Sequence, residues 1–266
     1  MVLSSVAEPA KLEIRGATKT YEAKTGPVHA LQDVSLEVMA GELVCILGPS
    51  GCGKTTLLWA MSGLHALTRG EILLDGSPIT GPRPAEIGMM FQDANLLPWR
   101  NLRKNIEFPF EIKKRPVDET RVEMLLREVG LDGFENSYPR ELSGGMQQRA
   151  SIVRALAPDP GVMLMDEPFG ALDAFTRDEM NLLLLRLWSE TSKTIVFVTH
   201  NISEAIFLAD RVVVMTPRPG RLARIFDIEL PRPRTVDMTF EHEFIELIQE
   251  IKHVVEFGAG HTVEVE

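Results

Sequence analysis

The chain has 266 residues, which is enough for one large domain or for one domain with an inserted lobe. Apolar residues make up 44% and charged residues 25% of the sequence, a globular composition that argues against low-complexity disorder. The net charge of −10 argues against sequence-independent binding of nucleic acid, which depends on Lys and Arg side chains that neutralise phosphates. We therefore expect no nucleic-acid partner.

Cysteine usage and hydropathy indicate a cytosolic chain that does not itself cross a membrane. Cys45 and Cys52 are the two cysteines, and neither belongs to a CxxC or Cys/His pattern of the kind that binds zinc, so reduced thiols are expected. Residues 1–16 lack the apolar core of a secretory signal, and no window approaches the roughly 18–20 apolar residues that a membrane helix needs. Any role at a membrane must therefore come through a partner.

The first third of the chain predicts β-structure that leads into a glycine-rich loop. Apolar residues alternate with charged ones at 12–14 and again at 34–38, as in half-buried strands. Residues 43–47 are a continuous apolar strand that ends at the loop, and a helix is expected from Thr55 onward. Residues 71–74 form one more strand, which enters an Asp-Gly turn.

The character of the sequence changes after about residue 94, where helical patterns begin. Asp118 can cap a helix that Gly130 would end. The apolar positions of that helix follow the i, i+3, i+4, i+7 pattern: Val122, Leu125, Leu126 and Val129.

Strands and helices alternate again in the last part of the predicted core. Residues 161–165 return to a buried strand, and Thr176 with Glu179 predicts a capping box that opens a helix through Trp188. Residues 195–198 and 212–215 are two more buried strands, with a helix between them that Asn201 can cap. Alternating buried strands and helices imply an α/β fold with a parallel sheet.

The chain beyond residue 230 predicts an appendage to the core. Residues 231–234 read PRPR, a proline-broken connector, and residues 257–266 are expected to be loose. Between them, a short amphipathic helix is predicted from the spacing of Phe240, Phe244, Leu247, Ile248 and Ile251.

The loop at residues 48–55 matches GxxxxGK[ST] and lies between an apolar strand and a helix, the context that this phosphate-binding motif requires. The backbone N–H groups of the loop and the helix N-terminus favour the binding of phosphate. Lys54 would reach the β- and γ-phosphates, and the Thr55 hydroxyl would bind Mg²⁺. Cys52 fills a variable slot; a redox role is the alternative, because a thiol at a helix N-terminus can have a depressed pKa. The loop and helix start give the predicted ATP-binding residues Gly48, Pro49, Ser50, Gly51, Cys52, Gly53, Lys54, Thr55 and Thr56.

Two carboxylates follow the strand at residues 161–165. Asp166 is placed to bind Mg²⁺ directly or through water, and Glu167 could act as the general base that polarises the attacking water. The alternative is a strand that simply leaves the core into solvent at Asp-Glu-Pro. The phosphate loop upstream favours the catalytic interpretation.

The segment Leu142-Ser-Gly-Gly-Met-Gln-Gln-Arg149, together with these two motifs, resembles the signature region of the ABC (ATP-binding cassette) ATPase family. The resemblance implies that Ser143, Gly144 and Gly145 read the γ-phosphate bound to another subunit, so that two copies enclose two ATP molecules head to tail. Ser143 also fits an ordinary helix N-cap. Met146 occupies a position where many members have Gln.

Other motifs of that family follow in order, and the resemblance covers about residues 10–230. Tyr21 resembles the aromatic residue that stacks on adenine, with core packing as the alternative, and Gln92 resembles the glutamine that touches Mg²⁺ and the attacking water. Asp173 lies in a Gly-Ala-Leu-Asp loop that resembles the one crossing the dimer interface. His200 resembles the switch histidine that contacts the γ-phosphate.

The fold that the resemblance implies is a P-loop NTPase core of the RecA-like α/β class, with an antiparallel β part and an inserted helical subdomain. We expect residues 1–93 and 158–230 to form the ATP-binding core, residues 94–157 the helical subdomain with the signature motif, and residues 231–266 a C-terminal extension.

A weaker likeness, carried by residues 96–100, 217–220 and 230–234, points to the nitrate/sulfonate/taurine importer ATPases. It implies a homodimer on the cytoplasmic face of the inner membrane that hydrolyses ATP for two integral-membrane permease subunits. A periplasmic or lipid-anchored substrate-binding protein would take part indirectly. Trp99 would lie near the permease contact or, alternatively, in the core.

Competing interpretations of the whole chain are a soluble ABC ATPase with a non-membrane partner, an exporter half, and an unrelated P-loop kinase or GTPase.

Overall fold

The computed structural model describes residues 10–24 and 26–258. Its strands are β1 (Leu12–Ala23), β2 (Gly26–Val38), β3 (Leu43–Leu47), β4 (Arg69–Leu74), β5 (Ser77–Pro78), β6 (Ile87–Met90), β7 (Val162–Asp166), β8 (Thr194–Thr199), β9 (Arg211–Met215) and β10 (Leu222–Asp227). Its α-helices are α1 (Lys54–Met61), α2 (Leu102–Lys113), α3 (Glu119–Glu128), α4 (Gly144–Leu156), α5 (Ala174–Thr191), α6 (Ile202–Leu208) and α7 (His242–Phe257).

A four-stranded antiparallel sheet in the order β2-β1-β4-β5 forms the first layer. Leu12 pairs with Val38 on one side and with Leu74 on the other, and all three side chains are buried. The alternation seen in the sequence thus places one face of this sheet in the core, as predicted.

The second sheet has the order β10-β9-β3-β8-β7-β6, with β10 antiparallel to β9 and the other neighbours parallel. Every residue of β3, β7 and β8 is buried, because apolar clusters cover both faces of this sheet. The predicted α/β fold with a mostly parallel sheet is confirmed.

Strand register brings the predicted motifs to one edge of the parallel sheet. Leu47, the last residue of β3, pairs with Thr199, and Asp166, the last residue of β7, pairs with Val198. The three strands therefore end side by side, and the loops that follow them leave the sheet at the same edge. In open α/β sheets that edge, at the carboxyl ends of the strands, is where ligands bind.

Helix caps agree with the sequence in three of four predicted places. Asp118, Ser143 and Asn201 each accept a hydrogen bond from the backbone N–H three residues on. The start predicted at Thr176 is wrong, since Asp173 is the N-cap of α5 and accepts from both the backbone N–H and the hydroxyl of Thr176 at 3.1 and 2.7 Å. The helix begins three residues earlier than predicted, because the Asp173 carboxylate accepts the free backbone N–H of Thr176 in the first turn.

The appendage is fastened to the core by two arginines of the PRPR connector. Arg232 lies over the Trp188 ring at 4.2 Å and forms an ion pair with Asp210 at 2.7 Å. Arg234 is only 4% exposed and donates to the carbonyls of Ile206, Phe207 and Ala209, which lie at the end of α6. The connector thereby caps that helix.

The amphipathic helix of the appendage is present as α7, and its Phe244 and Ile251 are buried. Phe240 was wrongly assigned to the apolar stripe, because it lies in the 3₁₀ turn before the helix and is 77% exposed. The segment predicted to be loose lies, from residue 259 onward, outside the described residues. None of the helices described here is long and apolar enough to cross a membrane.

Candidate nucleotide site

A cavity of about 650 Å³ opens at the sheet edge where β3 and β7 end. Its size falls in the range of small-molecule sites, about 300–1,000 Å³. Ten of the residues predicted for the site line it: Tyr21, Ser50, Gly51, Gly53, Lys54, Thr55, Thr56, Gln92, Asp166 and Glu167. The wall is completed by Val28, Ala30, Trp59, Phe91, Asp93, Asn95 and Arg218.

The Lys54 side chain is 4% exposed and bends back over its own loop. Its ammonium donates to the carbonyls of Gly48 at 2.8 Å and Pro49 at 3.2 Å, and lies 3.7 Å from a Glu167 carboxylate oxygen. A buried ammonium is costly unless paired, and phosphate oxygens are a stronger partner than these carbonyls. The ammonium is therefore held where a phosphate could take over its hydrogen bonds.

Glycine is required at position 53 of the loop for two independent reasons. Gly53 has φ of +107°, and a Cβ there would lie 2.7 Å from the carbonyl oxygen of Ala30. Cys52, beside it, is 1% exposed and points into the apolar core, and burial raises the pKa of its thiol. A raised pKa disfavours the reactive thiolate, so the structure gives no support to a redox role for Cys52.

Thr55 and Asp166 bring two oxygen ligands together. The Thr55 hydroxyl donates to the Asp166 carboxylate at 3.0 Å. Burial raises the pKa of Asp166, an effect that the Thr55 hydrogen bond opposes and the Glu167 charge reinforces. No group of three or more His, Cys, Asp or Glu side chains within the described residues could hold a metal. A hydroxyl and one carboxylate nevertheless fit Mg²⁺, which takes few protein ligands and completes its shell with phosphates and water.

Glu167 faces a different direction from Asp166 because its backbone adopts φ of +45°, a left-handed conformation that few side chains occupy. Its second carboxylate oxygen lies 2.8 Å from Nδ1 of His200. The pair brings together the ends of β7 and β8, although His200 itself does not line the nucleotide cavity. Unusual backbone of this kind is concentrated at functional sites.

Gln92 connects the cavity to the helical part of the chain. The Gln92 carbonyl accepts a hydrogen bond from the Gln148 side chain on α4 at 2.8 Å. Arg154, further along α4, donates to the carbonyls of Ala94 and Asn95 at 2.6 and 2.7 Å. Three hydrogen bonds therefore tie Gln92 and the segment after it to α4.

Comparison with known proteins identifies the family. Residues 31–170 match the model of the ABC transporter family. The chain belongs to that family. A taurine import ATP-binding protein of Roseobacter denitrificans is 47% identical over 250 residues, which are 93% of this chain and 90% of that protein. An aliphatic sulfonates import ATP-binding protein of Bacillus cereus is 41% identical over 93% of this chain and 96% of that one.

A solved structure agrees with the fold of this ABC ATPase. It is a dimeric ATP-binding cassette in a post-hydrolysis state, bound to ADP and phosphate, with a TM-score of 0.73 and 33% identity. It covers 83% of this chain and 100% of its own. The fold and the ATPase activity are thus those of the family.

Two predicted features of the ABC ATPase do not reach the cavity within one chain. Ser143 and Gly144 are exposed at the start of α4, and Gly145 is half-buried there. Asp173 is exposed at the start of α5. A single chain therefore presents these residues outward. Of the phosphate loop, Gly48, Pro49 and Cys52 do not line the cavity.

Two residues beside Tyr21, His65 and Trp59, are not predicted from the sequence. The Tyr21 hydroxyl lies 3.0 Å from Nδ1 of His65, and the Trp59 ring stands edge-on to His65 at 4.7 Å. Trp59 lies one helical turn after Thr55 on α1, so the spacing could have placed it on the cavity side. His65 lies beyond the helix, and no sequence pattern marks it.

Proposed function

We propose that this ABC ATPase energises a membrane importer for taurine, a sulfonate or a similar small nutrient such as nitrate. One observation carries the proposal: at the carboxyl edge of a parallel sheet, Glu167 contacts both Lys54 and His200, and Lys54 and Glu167 line a cavity of nucleotide size. The import direction and the nutrient class are supported by the names of relatives that cover nine-tenths of the chain or more.

The chemistry follows from the charges around the cavity. Tyr21 offers a ring to adenine, the loop N–H groups hold the phosphates, and Lys54 neutralises the β- and γ-phosphate charge. Glu167 takes the proton of the attacking water, and His200 steadies that carboxylate and reaches the γ-phosphate. Thr55, Asp166 and Gln92 would hold Mg²⁺, which supplies further charge neutralisation on the phosphates.

A homodimer would complete each site. The exposed N-terminus of α4, with Ser143, Gly144 and Gly145, offers N–H groups and a favourable dipole to the γ-phosphate held by a second subunit. Asp173, at the start of α5, would cross the same interface. The solved cassette at 33% identity is itself dimeric, which supports this arrangement.

The permease subunits would dock on an apolar groove between the sheet and α2. The groove has a volume of about 550 Å³ and includes Leu97, Phe108 and Ile112, the last of which is 64% exposed. Trp99, nearby in sequence, is 71% exposed, which argues against its packing in the core. Exposed apolar surface of this kind marks interaction sites.

The coupling path and the location follow from that docking surface. Motion at Gln92 would pass through α4 to the groove, so we propose residues 94–157 as the moving subdomain, residues 1–93 and 158–230 as the ATP-binding core and residues 231–266 as an extension. The chain would lie on the cytoplasmic face of the inner membrane beside two permease subunits. A substrate-binding protein outside would act on the permeases.

The test is a pull-down of tagged Glu167→Gln chain with ATP from detergent-solubilised membranes of the source cells. We expect a polytopic membrane protein to co-purify and to be lost when Trp99 and Ile112 are both replaced by Ser. Phe240→Ser is the matched control, since Phe240 is 77% exposed but lines a different cavity, beside α5 and α6. Recovery of the ATP-binding dimer alone would move the assignment to a soluble ABC ATPase with a non-membrane partner.

A further inference from the structure

A buried carboxyl group outside the proposed catalytic set lies just behind His200. Glu204, in the first turn of α6, is 6% exposed. Its Oε2 accepts a hydrogen bond from the Thr199 hydroxyl at 2.5 Å, and its Oε1 is buried with no hydrogen-bond partner among the residues that the structure describes. Burial of a carboxyl group is costly, so a neutral residue would serve packing at least as well.

Three hydrogen bonds close a ring around the backbone of His200. Thr199 donates to Glu204, the Asn201 N–H donates to the Thr199 hydroxyl at 3.0 Å, and the Glu204 N–H donates to the Asn201 side chain at 3.2 Å. Thr199 and Asn201 are the two chain neighbours of His200. The ring therefore fixes the backbone on both sides of the histidine.

The His200 side chain needs such support, because 57% of its surface is exposed and therefore not held by packing. Glu204, Glu167 and His200 line one small cavity of about 20 Å³. That volume is enough for about one water molecule, so Glu204 lies close to the Glu167–His200 pair. Arg177, which also lines this small cavity, donates to the carbonyls of Phe169 and Leu172 and so holds the loop after Glu167.

We propose that Glu204 is a positioning residue for ATP hydrolysis: its hydrogen bond to Thr199 holds His200 at the Glu167 carboxylate. The inference rests on the role proposed above for His200. Displacement of a catalytic group by about 1 Å can cost up to a hundredfold in rate, so loss of the ring should slow the chemical step and leave ATP binding intact.

Two substitutions at Glu204 separate the hydrogen bond from the volume of the side chain. Glu204→Met keeps the length but offers Thr199 only a weak thioether acceptor in place of the carboxylate. The kcat for ATP should fall about tenfold while KM for ATP changes less than about twofold. Glu204→Gln keeps an acceptor and should retain kcat within about threefold. Equal losses for Met and Gln, or an unchanged kcat for Met, would overturn the proposal.

A matched pair on β8 controls for general destabilisation. Thr194 and Thr199 lie at opposite ends of this strand, each is 2% exposed, and each hydroxyl accepts a backbone N–H at 3.0 Å. Thr199→Val should lower kcat as Glu204→Met does, whereas Thr194→Val should keep it. A similar kcat loss in both variants would mean that the buried hydroxyls act through stability alone.

The decisive measurement is the same Glu204→Met change in a His200→Ala chain. If Glu204 acts through His200, it causes no further loss of kcat there, since residues that act as a unit are not additive. A second tenfold loss would show a separate structural role. His200→Ala by itself tests the proposed function: an unchanged kcat in that variant would overturn the role of the histidine and the inference with it. A loss of kcat in His200→Ala, followed by a second loss when Glu204→Met is added, would overturn the inference alone.

Discussion

At the scale of single residues, the site depends on how two adjacent carboxylates are separated. Asp166 ends β7 and accepts from Thr55, whereas the left-handed backbone of Glu167 turns its side chain towards Lys54 and His200. Backbone strain of this type costs on the order of 1–3 kcal/mol, which the surrounding sheet must supply. This backbone conformation directs the two neighbouring carboxylates to different partners, so they can have different roles.

Replacement of the proposed general base gives the first prediction. Glu167→Gln should bind ATP with unchanged affinity, because Gln retains the size of the side chain, and turnover should fall by about 10²–10⁴-fold. Without hydrolysis the dimer should remain closed and elute as a dimer in gel filtration with ATP. An unchanged turnover rate in a phosphate-release assay would refute the general-base assignment.

The buried Glu204 carboxyl predicts a pH dependence of stability. Burial raises its pKa above the ordinary value of 4.5, while the Thr199 hydrogen bond and the charges of Arg177 and His200 oppose the rise and the Glu167 charge adds to it. A carboxyl group whose pKa rises on folding costs stability as the pH increases from the unfolded pKa through the folded one. The cost is absent at low pH and complete above the folded pKa.

Glu204→Gln cannot ionise and should therefore be more stable than the natural chain at neutral pH. The advantage, measured by urea unfolding, should shrink as the pH is lowered towards about 4.5 and below. A stability difference that stays constant, or that grows as the pH falls, would contradict the direction of the pKa shift.

At the scale of secondary structure, the end of α6 depends on an arginine from outside the helix. Arg234 donates to three carbonyls at the end of that helix and to the Ile228 carbonyl at 3.3 Å. Burial lowers its pKa to about 10, so the guanidinium keeps its charge at neutral pH. The last carbonyls of a helix have no partner within it, and a cation there is favoured by the dipole.

Arg234→Met should lower the free energy of unfolding by about 2–3 kcal/mol, because a charged donor is lost and several buried carbonyls are left without partners. Arg224→Met is the control. Arg224 joins Glu250 of α7 at 2.8 Å, but both side chains are about half exposed, and such pairs contribute at most about 1 kcal/mol. Urea unfolding of the two variants should rank them in that order, and equal losses would count against the cap.

At the scale of the whole molecule, one chain carries two half-sites that do not share a cavity. The phosphate loop lies in the cavity, whereas Ser143 and Gly144 are exposed on α4 and Asp173 on α5. A symmetric dimer can join each half-site to its complement on the other subunit. The proposed dimer is therefore part of the active site.

Mixing two inactive variants tests this arrangement. Lys54→Ala removes phosphate binding, and Ser143→Arg blocks the signature, so each homodimer should be inactive. A mixed dimer of the two contains one site with an intact loop and an intact signature. ATP hydrolysis by the mixture should exceed the sum of the separate samples, whereas a simple sum would mean that each chain works alone.

The amino-acid sequence alone determined the class of fold, the phosphate loop, the acidic pair and the places of strands β1 to β4 and β7 to β9 along the chain. These follow from local rules: apolar runs make buried strands, and a phosphate site needs glycines and a lysine at fixed spacing. The caps at Asp118, Ser143 and Asn201 were predicted for the same reason, since each bonds an N–H only three residues away.

Only the tertiary structure decided which distant residues meet. Tyr21 and His65 are 44 positions apart, the Arg234 side chain reaches carbonyls 25 to 28 positions upstream, and the Glu167–His200 contact spans 33. Such pairs depend on strand register and on helix packing across the sheet, which no local pattern encodes. The apolar groove beside α2 is likewise a property of two surfaces that the chain brings together only when folded.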